Sequence, residues 1–479
     1  MTLAPSQPDR LALDTARLAP PFTHSRRTPA PHRPAAPHRS AASHRSAAPH
    51  RSAAPHRDTT IDAVRAGALL IVVVLHALMV GVELTPAGSL HPSVALSGEP
   101  WFAPMTWALQ IMPLFFIAGG FASLAQWRRM QRRGDGAVAY ITARTRRLAV
   151  PAALMIGSVG GALLLARAVG ADAALVAEAS LRIGQPLWFL AVYFAVTALV
   201  PVMARLHDRA PRLTVLALAI GVVCVDVANA RFGVPVGYLN LVLVWPLMQQ
   251  LGFMMRDGIS VAVWPRRRLV CGLLGALAAL LALVGGGWSP DLLENLNPPT
   301  TAIMLLGAAQ FCALQLLRPR LDALTRAPRI ARLISRANAA AMGVYLWHMP
   351  VILALVAVMW ATGLPLPAPH SAAWWATRLP WLLTIACCVL PLAALIAPVE
   401  RRVLDLLHAV AATPPAHPDA GAARTWAAVL SVVCGIAGTA VALLAGLASP
   451  LPYAAALALL ALSIRCASLG GRVELPRRR

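Results

Sequence analysis

An arginine and a histidine stand out in an otherwise apolar segment near the start of the chain, RAGALLIVVVLHAL at 65–78. Arg65 and His76 are 11 residues apart, which on an α-helix amounts to three turns plus roughly 20° and a rise of about 16 Å. Both side chains therefore leave the same helix face. Imidazole transfers protons near neutral pH and guanidinium binds phosphate, so we interpret the pair as candidate catalytic residues.

Each member of this pair also has a structural explanation. An arginine near a helix end can extend to the membrane interface, and a histidine within a span can hydrogen-bond a neighbouring helix. Ionisable residues inside membranes nevertheless usually face a cavity or a partner, and two on one face favour a polar seam. Asp62 lies three residues before Arg65, within reach of it on a helix. We expect Asp62 to hold Arg65 or to cap the helix start, and include it among possible cavity-lining residues.

The composition requires a membrane environment. Of 479 residues, 58% are hydrophobic and 13% are charged, less charge than soluble proteins carry. Many windows reach the roughly 20 apolar residues that cross a bilayer, and their lack of polar alternation favours helices over a barrel. We predict an all-α polytopic membrane protein with ten core spans and two extra C-terminal ones. The spans are predicted at 61–82, 103–126, 148–168, 186–205, 213–229, 235–255, 268–287, 300–317, 338–361, 378–398, 425–446 and 450–465.

The positive charges indicate an orientation for these spans. The net charge is +23 and all of the basic residues counted as Lys or Arg are arginines. A basic chain could bind nucleic acid, but arginine-rich loops in membrane proteins mark the cytoplasmic side. The segments 127–147, 206–212, 256–267 and 318–337 are rich in arginine, whereas 83–102, 288–299 and 362–377 have none. The alternation predicts a multi-pass protein of the inner or plasma membrane with both termini in the cytoplasm and no nucleic-acid partner.

The chain is predicted to divide into five parts. A tail at 1–57 carries five His-Arg pairs at six-residue spacing; we expect a disordered basic tail, with metal binding as the alternative. A ten-span core follows at 58–407, a linker at 408–424, a two-span hairpin at 425–465 and a basic cytoplasmic tail at 466–479. The seven cysteines show no metal-ligand spacing, so no metal site is predicted.

Several motifs in the core resemble those of one protein family. DAVRAGALLIVVVLHAL, with its Asp, Arg and His, resembles the first span of the acyltransferase 3 family, which carries R-x10-H. Further segments resemble the family in the same order, over about residues 57–407. They are MPLFFIAGGF at 112–121, RTRRLAVP at 144–151, PLWFLAVYF at 186–194, YLWHMP at 345–350 and PVERRVLDLL at 398–407. The chain departs from the pattern at Pro186, where the family often has histidine, and after Glu400, where arginines replace proline.

The resemblance implies an enzyme that moves an acyl group, commonly acetyl, from cytoplasmic acyl-CoA to a hydroxyl or amine of a glycan or small molecule. It implies that Arg144 and Arg147 bind the donor, and arginine forks suit the phosphates of CoA; their alternative role is to set the topology. Trp188 is a possible cavity-lining residue by the same motifs. His348, near mid-membrane, either lines the cavity or is a hydrogen-bonded histidine of its span. No tightly bound cofactor is expected, and acyl-CoA is a substrate.

Two questions remain open at the level of sequence. His76 either takes the proton of the acceptor hydroxyl as general base or carries the acyl group as an acyl-imidazole. Twelve spans with both ends inside is also a transporter layout, although we find no half-to-half repeat of the kind that transporters show. A structural scaffold would not need the Arg65 and His76 pair.

Overall fold

The structure, a computed structural model, describes residues 58–84, 90–96, 99–233, 235–259, 264–411 and 420–470. These residues form fourteen α-helices and one two-stranded sheet. The elements are α1 (Thr59–Met79), β1 (Val80–Leu84), β2 (Leu90–Val94), α2 (Phe102–Leu109), α3 (Met112–Gln131), α4 (Ala137–Ala168), α5 (Ala173–Gly184), α6 (Leu187–Arg209), α7 (Pro211–Phe232), α8 (Val244–Arg256), α9 (Arg266–Gly285), α10 (Thr301–Thr325), α11 (Pro328–Ala361), α12 (Ala372–Ala411), α13 (Ala420–Leu444) and α14 (Pro450–Gly470). The predicted all-α polytopic fold is confirmed.

One predicted span is broken. Among the described residues, 11 helical segments are long and apolar enough to cross a membrane, and the predicted span 235–255 is not one of them. It consists of a 3₁₀ helix, Gly237–Val242, followed by α8, whose 13 residues rise about 20 Å, short of the roughly 30 Å hydrocarbon core. Trp245, Met248 and Phe253 of α8 are fully buried in the protein. These apolar residues pack in the protein core and do not face lipid. Hydropathy does not distinguish the two environments, so it predicted a full span.

The arginine-rich segment 127–147, expected to be a loop, is mostly helical. α3 continues to Gln131 and α4 begins at Ala137, so only five residues connect them. α4 has 32 residues and rises about 48 Å, well beyond the thickness of the hydrocarbon core. Arg144 and Arg147 therefore lie on a helical extension of the span, and the expectation of a loop is corrected.

The segment after α1 forms a hairpin. β1 and β2 pair antiparallel, with Gly81 opposite Ser93. A side chain on Gly81 would collide with Ser93 and Ala95, so the close approach of the two strands requires glycine there. The hairpin is tied to α5, because Arg182 Nη1 donates to the carbonyl oxygen of Ser93 over 3.1 Å.

The start of α1 is anchored to the end of α10, and this fixes the position of Arg65. The Asp58 carboxylate caps the helix by accepting from the Ile61 amide at 3.1 Å and forms an ion pair with Arg318 of α10. Thr60, fully buried, donates to the carboxylate of Asp322. A helix start with its amides capped and its polar groups paired is held in one position.

The last two helices pack into the ten-span core. α13 and α14 contact each other, both contact α4, and α13 also contacts α6. Tyr453 of α14 lies against Gly160 of α4 and donates to the carbonyl oxygen of Gly157 at 2.9 Å, and Gly435 of α13 lies against the ring of Phe194. α12 continues to Ala411 and α13 begins at Ala420, so both extend into the predicted linker. The tail 1–57 and residues 412–419 and 471–479 lie outside the described residues, and the division into domains stays a prediction.

Candidate active site

One cavity has both Arg65 and His76 on its wall. Its volume is about 180 Å³, and we call it the His76 cavity. The α1 residues that line it are Arg65, Leu69, Val72, Leu75 and His76. Steps of three or four residues connect Arg65 to His76 through Leu69 and Val72, as on one helix face.

The His76 cavity extends along the length of α1. Leu148 of α4 and Asn338 of α11 line it together with Arg65. Leu293, from the connection between α9 and α10, also lines it and packs against the same buried cluster as Leu75, near the other end of α1. The cavity therefore contacts elements that belong to both ends of the first span.

His76 and His348 are in direct contact. His76 Nδ1 lies 2.9 Å from His348 Nε2, and His348 Nδ1 lies 2.7 Å from the backbone carbonyl oxygen of Tyr345. His348 has no exposed surface and does not line the cavity, whereas half-buried His76 does. Of the two roles predicted for His348, the structure therefore places it as a hydrogen-bonded histidine, with His76 as its partner.

The carbonyl of Tyr345 fixes the proton positions of both rings when both are neutral. A carbonyl oxygen only accepts, so His348 Nδ1 carries the proton that is donated to it. His348 Nε2 is then a lone pair and accepts from His76 Nδ1. The remaining nitrogen of His76, Nε2, consequently has a free lone pair on the ring that lines the cavity. This is the form in which imidazole accepts a proton or attacks a carbon.

Aromatic side chains cover one side of the His76 cavity. Trp188 lines it together with Phe115, Phe189, Tyr193 and Tyr345. The Tyr345 hydroxyl donates to the carbonyl oxygen of Pro186 at 2.6 Å, which ties α11 to the start of α6. Pro186, the departure from the family pattern, thus accepts a hydrogen bond through its backbone, where a histidine side chain would add an ionisable group.

Asp62 is beside Arg65 but off the cavity wall. Its Oδ1 lies 3.9 Å from Arg65 Nη1, the i,i+3 relationship that the sequence predicted. The Asp62 carbonyl oxygen accepts from Asn338 Nδ2 at 2.7 Å, and Asn338 lines the cavity. Asp62 therefore connects α1 to α11 at the level of Arg65.

Arg144 and Arg147 are adjacent to the cavity without lining it. Leu148, which follows Arg147, lines the cavity. Arg147 also interacts electrostatically with Tyr193, another residue of the cavity wall. Arg144 lies over the ring of Tyr140 at 5.7 Å. The structure therefore places these two arginines beside wall residues of the cavity and joins neither of them to His76.

Sequence reasoning overlooked Arg146, which lies between these two residues. Its side chain is 4% exposed, and its Nε and Nη1 have no hydrogen-bond partner. Arg146 shares a helix face with Thr142 and Gly157, which contact Gly470 and Tyr453 of α14. Three arginines at neighbouring positions look alike in sequence, and only the packing of α14 distinguishes the buried one.

Metal ligands do not cluster in the part of the chain that the structure describes. There, no three residues among His, Cys, Asp and Glu are grouped so that they could hold a metal ion. The repeated histidines of the tail lie outside the described residues, so their metal binding stays an alternative.

Comparison with known proteins identifies a family for most of the chain. The family model described as an acyltransferase domain, of the acyltransferase 3 type, matches residues 58–397, which confirms the resemblance seen in the motifs. No curated protein and no solved structure matches the chain. The matched range covers α1 to α11 and most of α12, and it includes every residue assigned above to the His76 cavity.

Proposed function

The chain belongs to the acyltransferase 3 family, and on that premise we propose that this membrane acyltransferase moves an acetyl group from cytoplasmic acetyl-CoA to a hydroxyl or amine of a cell-envelope glycan or small molecule. The observation that carries the proposal is the hydrogen-bonded chain from the Tyr345 carbonyl through His348 to His76. It supports a neutral His76 whose Nε2 is available at a cavity wall.

The dimensions of the His76 cavity favour separate roles for Arg65 and His76. Their axial separation is about 16 Å, so a thioester at His76 would be out of reach of Arg65. A volume of about 180 Å³ is below that of a site for a whole drug-sized molecule. We therefore place only the pantetheine arm and the thioester in the cavity, with the phosphates of CoA near Arg65, Arg144 and Arg147. Guanidinium groups suit that end because they bind phosphate oxygens in pairs.

The chemical step follows from the free Nε2 of His76. As the acceptor oxygen attacks the thioester carbon, its proton passes to His76 Nε2, and the imidazolium charge is shared with His348 through the Nδ1 hydrogen bond. The tetrahedral intermediate collapses, the C–S bond breaks, and the CoA thiolate takes the proton from His76. The products are the acyl ester and CoA, and His76 returns to its neutral state.

An acyl-imidazole is the rival route through the same atom. Here Nε2 attacks the thioester and expels CoA, and the acceptor hydroxyl then takes the acyl group. Rapid quenching of the enzyme with labelled acetyl-CoA in the absence of acceptor distinguishes the routes. A peptide carrying acetyl on His76 would establish the covalent route, and its absence in single-turnover samples supports the general base.

The proposal is tested with membranes that contain the full chain and radiolabelled acetyl-CoA. We expect label to enter an envelope or metabolite fraction, and the rate to fall by about 10²–10⁴-fold in His76→Ala, the usual contribution of a positioned general base. His91→Ala is the matched control, because His91 is an exposed histidine of β2 and should leave the rate unchanged. Full activity of His76→Ala would overturn the role of His76. Solute uptake without acyl transfer would overturn the enzymatic proposal in favour of the transporter.

A further inference from the structure

A second, larger cavity lies on the other side of His348. Its volume is about 740 Å³, within the range of small-molecule sites and about four times that of the His76 cavity. α4, α5, α11 and the β1–β2 hairpin form its walls. We call it the second cavity.

The second cavity adjoins the His76 cavity along α11. Trp347, Pro350 and Val351 line it, whereas Tyr345 lines the His76 cavity. His348 therefore lies between wall residues of the two cavities, and its ring points to His76. A molecule in the second cavity is within a helical turn of the residues that support the reacting imidazole.

Most of the second cavity is apolar and lies within helices long enough to span a membrane. Ala162 and Leu163 of α4 and Leu353 and Ala354 of α11 are typical of its wall. Apolar cavities stay dry and take apolar guests. A volume of this size in a membrane protein is therefore suited to hydrocarbon and not to water.

Charged residues occur at one edge only, on and before α5. The Asp172 carboxylate caps α5 by accepting from the Leu175 amide at 2.8 Å, and Glu178 accepts from Arg182 Nε at 2.6 Å. Two carboxylates against one guanidinium leave this edge with one net negative charge. It offers hydrogen-bond donors and acceptors but repels a phosphate, so it fits a neutral hydroxylated group.

The charged edge is connected to the site of the proposed chemistry through Arg182. Arg182 precedes Pro186 by four residues, one helical turn, and Pro186 lines the His76 cavity and accepts from Tyr345. Arg182 also donates to the Ser93 carbonyl oxygen. Ser93 pairs with Gly81, and Gly81 is five residues after His76 in the chain. A head group at Arg182 would therefore be next to the His76 cavity, with its chain directed along α4 and α11.

We propose that the second cavity binds the hydrocarbon chain of an amphiphilic acceptor with a neutral, hydroxyl-bearing head group, as in a glycolipid. This inference rests on the proposed function, because it names the class of acceptor that the His76 chemistry would use. The hydrocarbon chain is held among the apolar residues of α4 and α11, and the head group lies beside the ion pair of Glu178 and Arg182.

The test uses the full-length protein in lipid nanodiscs and dodecyl glucoside with a diazirine in its chain. Photolabelling should modify α4 and α11 residues of the second cavity, and dodecyl phosphate should compete poorly. Ala162→Trp, at an exposed position on the cavity wall, should abolish this labelling. Leu165→Trp is the control, because Leu165 is on the same helix, 65% exposed, and not on the wall. His76→Ala should be labelled normally, so binding is read independently of chemistry.

Acyl transfer to alkyl glucosides provides the second readout. Ala162→Trp should lower kcat/KM for dodecyl glucoside by about tenfold, or about 1.4 kcal/mol, and leave that for ethyl glucoside unchanged. Labelling outside the second cavity, or labelling that Ala162→Trp does not reduce, would overturn the inference. The inference would also be overturned if the wild type is labelled but Ala162→Trp transfers acyl groups to dodecyl glucoside at the wild-type rate. The cavity would then hold a structural lipid. Failure of the proposed function is recognised differently: no acceptor of any chain length would show His76-dependent transfer.

Discussion

His76 Nδ1 of α1 and His348 Nε2 of α11 are joined by a hydrogen bond of 2.9 Å, although the two residues are 272 positions apart in sequence. The bond has one direction when both rings are neutral, because His348 Nδ1 must donate to the Tyr345 carbonyl. His348 touches neither the cavity nor a substrate position, so its part in the proposed reaction is to position His76 and to receive part of its charge.

Replacing His348 should lower kcat without altering donor binding. In His348→Ala, His76 Nδ1 has no acceptor, so the ring is free to rotate and to adopt the other tautomer. We expect a fall in kcat of about 10²-fold, the lower end of what a positioned general base contributes, with the KM for acetyl-CoA unchanged. His348→Gln, whose amide oxygen can accept from Nδ1, should restore part of the rate. Equal losses in both variants would show that His348 serves packing only.

Arg65 is predicted to act on the phosphate end of the donor. Arg65→Gln should raise the KM for acetyl-CoA about tenfold, roughly the 1.4 kcal/mol expected for one charge-assisted hydrogen bond, with a smaller effect on kcat. Kinetics with acetyl-pantetheine, which lacks the nucleotide, give the decisive comparison. The wild type and Arg65→Gln should use that truncated donor equally well. Arg129→Gln is the control, because Arg129 is exposed on α3, and it should not change the KM for either donor. A loss with acetyl-pantetheine would instead place Arg65 at the thioester.

The Tyr345 hydroxyl should contribute to stability and to the alignment of His348. Tyr345→Phe keeps the ring that packs against Phe189 at 5.3 Å but leaves the Pro186 carbonyl without its donor. Such a loss costs about 1–3 kcal/mol, so we expect a lower thermal midpoint and a moderate fall in kcat. Thermal unfolding in detergent and steady-state rates measure the two effects. An unchanged midpoint would mean that water replaces the hydroxyl at Pro186.

Asp257 forms an ion pair with Arg128 and contacts His207, and we expect the protein to lose stability in acid when this carboxylate is protonated. Burial raises the pKa of Asp257, but the hydrogen bond and charge of Arg128 and the contact with His207 lower it more, so its pKa lies below the usual value. A carboxyl with a depressed pKa in the folded state stabilises the protein above its unfolded pKa, about 3.9, and this stabilisation is lost as pH falls through the folded pKa. Asp257→Asn should lower the thermal midpoint at pH 7 and flatten its decline below about pH 4. Parallel pH curves for variant and wild type would contradict the assignment.

Much of the architecture followed from sequence, because a bilayer allows few solutions. Hydropathy found the spans wherever apolar side chains face lipid, and it failed at α8, whose Trp245 and Met248 are buried in protein. Helical periodicity placed Arg65 and His76 on one face, since that depends only on local geometry. The contact of His76 with His348 depends on how α1 packs against α11, and no local pattern specifies it. The same holds for Arg146, whose neighbours on the α4 face, Thr142 and Gly157, pack against α14.

The packing of α14 on α4 is tested by two adjacent glycines. A Cβ on Gly160 would overlap the ring of Tyr453, whereas a Cβ on Gly161 would lie 3.7 Å from the Tyr453 hydroxyl oxygen, an ordinary contact. Gly160→Ala should therefore destabilise the protein by about 1–3 kcal/mol through overpacking. Gly161→Ala should be neutral or stabilising, because alanine favours a helix interior by up to about 1 kcal/mol over glycine. Thermal unfolding of the two variants in detergent makes the comparison, and equal midpoints would show that α14 does not pack against this face of α4.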